Sequence, residues 1–309
     1  MEAKLALSGS AGNVQVSEVG AVALSIAVVP ALPSSVKVQD RIRPRECRLK
    51  ISALILKVRE IVRLTWNAAS RTYLGPAHRC VEDDIYMSSF LFAIADGRRG
   101  RADGDAACRL VTEALRRYDR EIDPSDLTAI LERAIYSANE SIRQQIEARP
   151  EQAGMGADLV TMVWSGTMAA FANMGDTQAY VVRRTEDGTA ELIWTTEGHA
   201  HGMAEADSLP MPPERISHFL DGRPEGHAPG LVALGLSAGD RILLCTGGLG
   251  AVVSHALLME SLSGPGGSPE AADRLEAIAA ERAGSDDITL IVIEFVDFEV
   301  HRKEYTFSD

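Results

Sequence analysis

An α+β fold, in which antiparallel strands are covered by paired helices, is predicted by three observations. Between residues 158 and 195 several apolar segments of strand length follow one another, with short turns at Ser165-Gly166 and Gly175-Asp176. Two stretches with helical apolar spacing precede this meander, and two more follow it before a last strand-like segment. Helices that come in pairs outside a run of strands build layers, whereas a doubly wound parallel sheet needs strands and helices that alternate. The composition, 46% hydrophobic and 24% charged, is that of a chain with a core to bury. Its 309 residues suit one large domain or two ordinary ones.

The elements follow in order. Residues 21–33 (AVALSIAVVPALP) are apolar, but the run is about half the ~20 residues needed to cross a bilayer and is broken by Pro30. No basic cluster of the secretory type precedes it, so a buried strand is expected. Residues 49–66 fit neither helix nor strand spacing cleanly. Residues 1–74 are therefore read as an N-terminal extension packed on a main domain of residues 75–309. That domain opens with the strand 90–95 (FLFAIA), ending at Asp96-Gly97. A helix over 103–120 aligns Ala106, Leu110, Ala114 and Leu115, and a second over 124–147 aligns Leu127, Ile130, Leu131, Ala134, Ile135 and Ile142. Asp123, just before Pro124, is the expected N-cap of the second. Strands are expected at 158–164, 167–174, 178–184, 191–195, 241–245 and 288–295, with helices near 254–261 and 269–283.

Charge and cysteine usage exclude some function classes. With 31 basic and 44 acidic residues the net charge is −13, a field that repels phosphate backbones and anionic lipid. Neither a nucleic acid nor a membrane is an expected partner. Four scattered cysteines (Cys47, Cys80, Cys108, Cys245) with no C-x-x-C pair suit free thiols in a reducing cytoplasm. Cys245, within an apolar strand, reads as a small buried hydrophobe.

Chemistry enters with the acids. Glu82-Asp83-Asp84, Asp96, Asp176 and Asp286-Asp287 each stand where an apolar strand begins or ends. Turns favour Asp for its local backbone hydrogen bonds, which accounts for any one of them alone. Carboxylates brought to one rim of a sheet, however, repel unless a hard cation lies between them, and Mg²⁺ or Mn²⁺ takes oxygen ligands.

The order and neighbours of these acids resemble a known family, the metal-dependent serine/threonine protein phosphatases of type 2C (PPM-type). Arg79-Cys80-Val81-Glu82-Asp83-Asp84 resembles R-x-x-N-E-D, and Phe92-Ala93-Ile94-Ala95-Asp96-Gly97-Arg98-Arg99-Gly100 resembles F-A-V-A-D-G-M-G-G. Ala172-Asn173-Met174-Gly175-Asp176-Thr177-Gln178-Ala179-Tyr180 is similar to A-N-V-G-D-S-R-A-Y, and Thr195-Thr196-Glu197-Gly198-His199 loosely follows L-T-x-D-H. The run from Gly239 to Leu249 (GDRILLCTGGL) tracks G-D-R-L-L-L-C-S-D-G-L, and Asp286-Asp287-Ile288-Thr289 parallels D-N-x-T. The resemblance spans about residues 75–295. It implies a four-layer α/β/β/α sandwich of two antiparallel sheets flanked by helix pairs, with a metal cluster at one end. It further implies Mg²⁺ or Mn²⁺ as cofactor and in-line attack of an activated water on a phosphoserine or phosphothreonine, without a covalent enzyme intermediate.

Carried over residue by residue, the resemblance makes Arg79 the phosphate-binding group and Asp83, Asp84, Asp96, Asp286 and the Gly97 carbonyl the metal-site residues, with Asp176 a third-metal candidate. Four departures bear on function. Gly247 stands at the S-D-G aspartate, and Ala251 stands four residues later at a further aspartate position. Arg98 and Arg99 replace M-G, placing two cations that either repel a metal or substitute for part of its charge and grip phosphate. Gly156-Ala157-Asp158 stands where the family has G-T-T. A first-shell loss should weaken metal binding beyond the ~10–100-fold of an outer-shell change. The expected function is thus a divergent member, weak or inactive, acting as a phosphoprotein-binding or regulatory pseudophosphatase with one ion or none. The alternative is an active phosphatase with a reduced metal site.

Overall fold

Side chains alternate faces along a strand, so a strand apolar on both faces must be covered on both. The last strand-like segment, ITLIVIEFVD, is such a strand, and it sits inside a four-layer structure. The computed structural model describes residues 5–10, 13–18, 24–27, 64–76, 81–97, 103–185, 189–196, 219–223, 229–282 and 287–298. The chain divides into two units, Met1–Arg63 and Leu64–Asp309.

In the first unit β1 (Leu5–Ser10), β2 (Asn13–Glu18) and β3 (Leu24–Ala27) form an antiparallel sheet in that order. β3 falls within the strand expected over 21–33, while 49–63 of the ambiguous segment lies outside the described residues. Residues 64–74, expected in the extension, open the second unit instead. β4 (Leu64–Tyr73) pairs along its whole length with the last strand, β13 (Ile288–Asp297). Its intermediate exposure on both faces weakens its apolar pattern, and so hid it in the sequence.

The second unit continues through β5 (Asp84–Met87), β6 (Leu91–Gly97), α1 (Gly104–Arg116), α2 (Leu127–Ala148), β7 (Ala157–Ser165), β8 (Met168–Met174), β9 (Gln178–Arg184) and β10 (Ala190–Thr195). Then come β11 (Gly230–Gly235), β12 (Asp240–Cys245), α3 (Gly247–Val252), α4 (His255–Ser263), α5 (Ser268–Arg282) and β13. One five-stranded sheet has the order β10-β9-β12-β13-β4 and the other β11-β8-β7-β6-β5, all neighbours antiparallel. α1 and α2 cover the second sheet, and α3, α4 and α5 the first. The expected α/β/β/α sandwich is observed. Asp123 caps as expected, accepting from the Ser125 amide at 2.9 Å, although the first turn after it is 3-10.

Three apolar layers hold this together. Phe92 and Ile94 of β6 face the other sheet, where they join Val160, Phe171, Val181, Ile242, Leu244, Ile291, Ile293 and Phe295. The alternate residues Leu91, Ala93 and Ala95 face α1 and α2. On the opposite side Leu243, Cys245, Leu290 and Val292 pack under the C-terminal helices. Bulk therefore sits between the sheets, with edge-to-face contacts Trp66–Phe92 and Trp164–Phe295, each at 5.0 Å between centroids. Cys245 is fully buried, and burial pushes its thiol up.

Away from the acidic strand ends the buried charges are paired. Asp240, fully buried, accepts from Arg183 Nε and Nη2 at 2.7 and 2.8 Å and from the Ser237 amide at 2.8 Å. Arg241, 2% exposed, meets Glu294 and donates to the carbonyls of Leu262, Gly264 and Gly266.

Phe171 is 1% exposed between the sheets and stacks on Trp194 at 5.1 Å. Phe171→Ala should cost about 3–5 kcal/mol. Urea unfolding followed by circular dichroism would show a lower midpoint with the slope unchanged.

Candidate metal and phosphate site

Strand register decides which acids meet. Asp84 pairs with Ala95 across β5–β6, and Asp96 with Asp158 across β6–β7. Leu159 pairs with Met174 across β7–β8, so the start of β7 lies beside the end of β8. The chain then crosses to the other sheet through Gly175-Asp176-Thr177. There Gln178 pairs with Cys245 and Cys245 with Leu290, placing the start of β9, the end of β12 and the start of β13 side by side. The starts of β5, β7, β9 and β13 and the ends of β6, β8 and β12 therefore share one end of the sandwich. Asp83, Asp96, Asp158, Asp176 and Gly247 all sit there.

Asp96 is the centre of this group. Burial, then the charges of Asp83, Asp176 and Asp158, and then a hydrogen bond with the Asp83 carboxyl hold its own carboxyl well above the usual range. Asp158 is 6% exposed. Its carboxylate packs against Gly175, whose φ is +85°; a Cβ built there would lie 2.1 Å from Asp158 Cγ. The turn needs glycine at this position for conformation and space alike. The Asp176 carboxylate reaches the end of β12. A Cβ built on Gly247 would lie 2.6 Å from Asp176 Cγ and 2.7 and 2.8 Å from its oxygens.

Other acids at this rim hold structure. Asp84 accepts from Thr112 Oγ1 of α1 at 2.5 Å and from the Ile85 amide at 3.1 Å, which ties β5 to the helix. Asp287, at the family's asparagine, accepts from the Gly75 amide at 2.8 Å and fixes the end of β4. Glu82 lies between Gly97 and Gly104: a Cβ on Gly97 would meet Glu82 Cβ at 3.0 Å, and one on Gly104 would meet Glu82 Oε2 at 2.9 Å. Ala251 is exposed on α3. Arg79, Arg98, Arg99 and Asp286 lie outside the described residues.

Asp83, Asp96 and Asp176 thus come together as their sequence positions suggested, whereas the Asp84 carboxylate, at the start of β5, is turned to Thr112 of α1. Sequence reading did not count Asp158 among the site residues, although its place opposite Asp96 makes it a neighbour. The signal was present as an acid where the family motif carries threonine. Among the described residues no three His, Cys, Asp or Glu side chains stand at the mutual spacing of a closed ion cage. The donor set is nonetheless all oxygen and mutually repelling, and the space beside Gly247 that a Cβ would fill contains a carboxylate. Such a set fits a hard divalent cation, which would relieve the repulsion.

The chain is similar to several known proteins. A family model described as Protein phosphatase 2C matches residues 72–200. The serine/threonine protein phosphatase PstP of Mycobacterium tuberculosis is 32% identical over 244 residues, 77% of this chain and 46% of PstP. The chain thus spans about half the length of that curated relative. The serine/threonine phosphatase stp of Listeria innocua is 26% identical over 216 residues, 65% of this chain and 82% of stp. Among solved structures, the catalytic domain of PstP in complex with two manganese ions superposes with a TM-score of 0.64 at 32% identity, covering 76% of this chain and all of that domain.

The raised Asp96 carboxyl has a measurable sign. In chelator the folded state keeps a proton on Asp96 that the unfolded chain has already released. Through this group, stability is full below the ordinary carboxylate range and falls as pH rises through the raised value. Asp96→Asn should therefore melt above wild type in EDTA, by a margin that widens as pH rises above the ordinary carboxylate range. Calorimetric scans of both proteins from that range upward are the check.

Proposed function

Because the chain belongs to the protein phosphatase 2C family of serine/threonine phosphatases, we propose that it hydrolyses phosphoserine and phosphothreonine in proteins with a metal site of altered make-up. The observation that carries this reading is the gathering of Asp83, Asp158 and Asp176 around Asp96, a repulsive group that a cation would satisfy. Asp83, Asp96 and Asp176, with the Gly97 carbonyl and Asp286, would hold Mg²⁺ or Mn²⁺. When bound, such ions neutralise phosphoryl charge and lower the pKa of a water. Arg79 would bind the phosphoryl group through its planar fork, with Arg98 and Arg99 adding positive charge beside it. Tying β5 to α1 through Asp84 and Thr112 keeps Asp83 on the rim. The free, buried thiols of Cys108 and Cys245 suit the cytoplasm, the compartment proposed here. Among the described residues no helix is long and apolar enough to cross a membrane.

A second reading, a pseudophosphatase that binds phosphoproteins without turning them over, is favoured by Gly247 and Ala251. Both positions lack the carboxylates that the resemblance expects. Phosphate release from a phosphothreonine peptide, measured with and without Mn²⁺, separates the two. The proposal expects Mn²⁺-dependent turnover that drops at least about 100-fold in Asp96→Ala, past the range of outer-shell changes. Tight calorimetric binding of the same peptide with no turnover would establish the second reading.

A further inference from the structure

Gly247 opens the short helix α3, directly after β12, and contributes no side chain to the rim. Its place is filled from the other side. The two Asp176 oxygens lie 2.7 and 2.8 Å from where a Cβ on residue 247 would stand. Asp176 is delivered there by a fixed turn. Gly175 takes φ +85° and packs on Asp158, Asn173 Nδ2 donates to the Thr177 carbonyl at 2.5 Å, and Thr177 Oγ1 donates to the Met174 carbonyl at 3.3 Å. The Gln178–Cys245 pairing then holds the turn against the end of β12. A side chain at 247 and the Asp176 carboxylate in this position exclude each other, because two atoms cannot share that volume.

We propose that Asp176 serves as the divalent-cation carboxylate that this chain lacks at residue 247, and that the absence of a Cβ on Gly247 is what lets it do so. The proposal rests on the phosphatase reading for the cation's use, yet it concerns binding alone and is tested without substrate. Gly247→Asp is then no simple repair. The new side chain would displace the Asp176 carboxylate, a shift of a short side-chain end, and offer its own in exchange. Gly247→Ala would displace it and offer nothing, in a substitution that favours the helix.

The experiment is a calorimetric Mn²⁺ titration of wild type, D176N, G247A, G247D and the doubles D176N/G247A and D176N/G247D, with melting curves as folding controls. Even outer-shell changes commonly cost ~10–100-fold in affinity, so D176N and G247A, which remove a ligand, should each weaken Mn²⁺ at least about tenfold. G247D should stay within about threefold of wild type, and adding D176N to either 247 variant should change little, the coupling expected of residues sharing one role. Equal weakening by D176N in all three backgrounds would overturn the proposal, as would no weakening in any. So would G247A binding like wild type. A wild type that hydrolyses phosphopeptide while D176N leaves Mn²⁺ affinity intact sinks this inference and spares the phosphatase reading. A wild type with the expected coupling but no turnover does the reverse, and a wild type that binds no Mn²⁺ overturns both.

Discussion

The crossing from β8 to β9 is the constraint on which the rest depends. β8 belongs to one sheet and β9 to the other, and the short turn Gly175-Asp176-Thr177 joins them. A connection that short forces the ends of both sheets to the same height. Antiparallel pairing then carries the alignment outward: to β7 and β6 through Leu159–Met174 and Asp96–Asp158, and to β12 and β13 through Gln178–Cys245 and Cys245–Leu290. The acidic rim is a result of that registration. Shifting one strand by a single residue would turn its acid to the opposite face.

Much of the fold was legible because its signals are local. The apolar spacing of Leu127, Leu131, Ala134, Ile135 and Ile142 marked α2, and Asp123 marked its start. The fully buried pattern of β7 and β12 appears in sequence as largely apolar cores, LVTMVW in β7 and ILLC in β12. What stayed hidden lies at sheet edges. β4, β5 and β11 are edge strands whose half-exposed positions dilute the pattern, and β4 and β11 also exist only through pairing with strands far along the chain, β13 and β8.

The site was legible as positions and not as geometry. Asp83, Asp96 and Asp176 could be named from their place at strand ends. That Asp84 turns to Thr112, and that Asp287 serves the Gly75 amide, are matters of side-chain direction that spacing does not encode. Gly247 is the sharpest case. In sequence it is a missing carboxylate; in three dimensions the volume it leaves open holds another residue's carboxylate, from a turn some seventy positions earlier in the chain.

The two ends of the sandwich differ in kind. Where β12 begins, the acids meet guanidinium groups: buried Asp240 with Arg183, and half-buried Glu294 with Arg241, itself anchored on three carbonyls. Where β12 ends, the acids meet one another. Removing one partner of a buried ion pair is strongly destabilising, whereas separating like charges relieves strain. Without a cation the molecule thus has a firm pole and a restless one, and its first local openings should start at the acidic pole. A cation arriving there would do for that end what arginine does for the other.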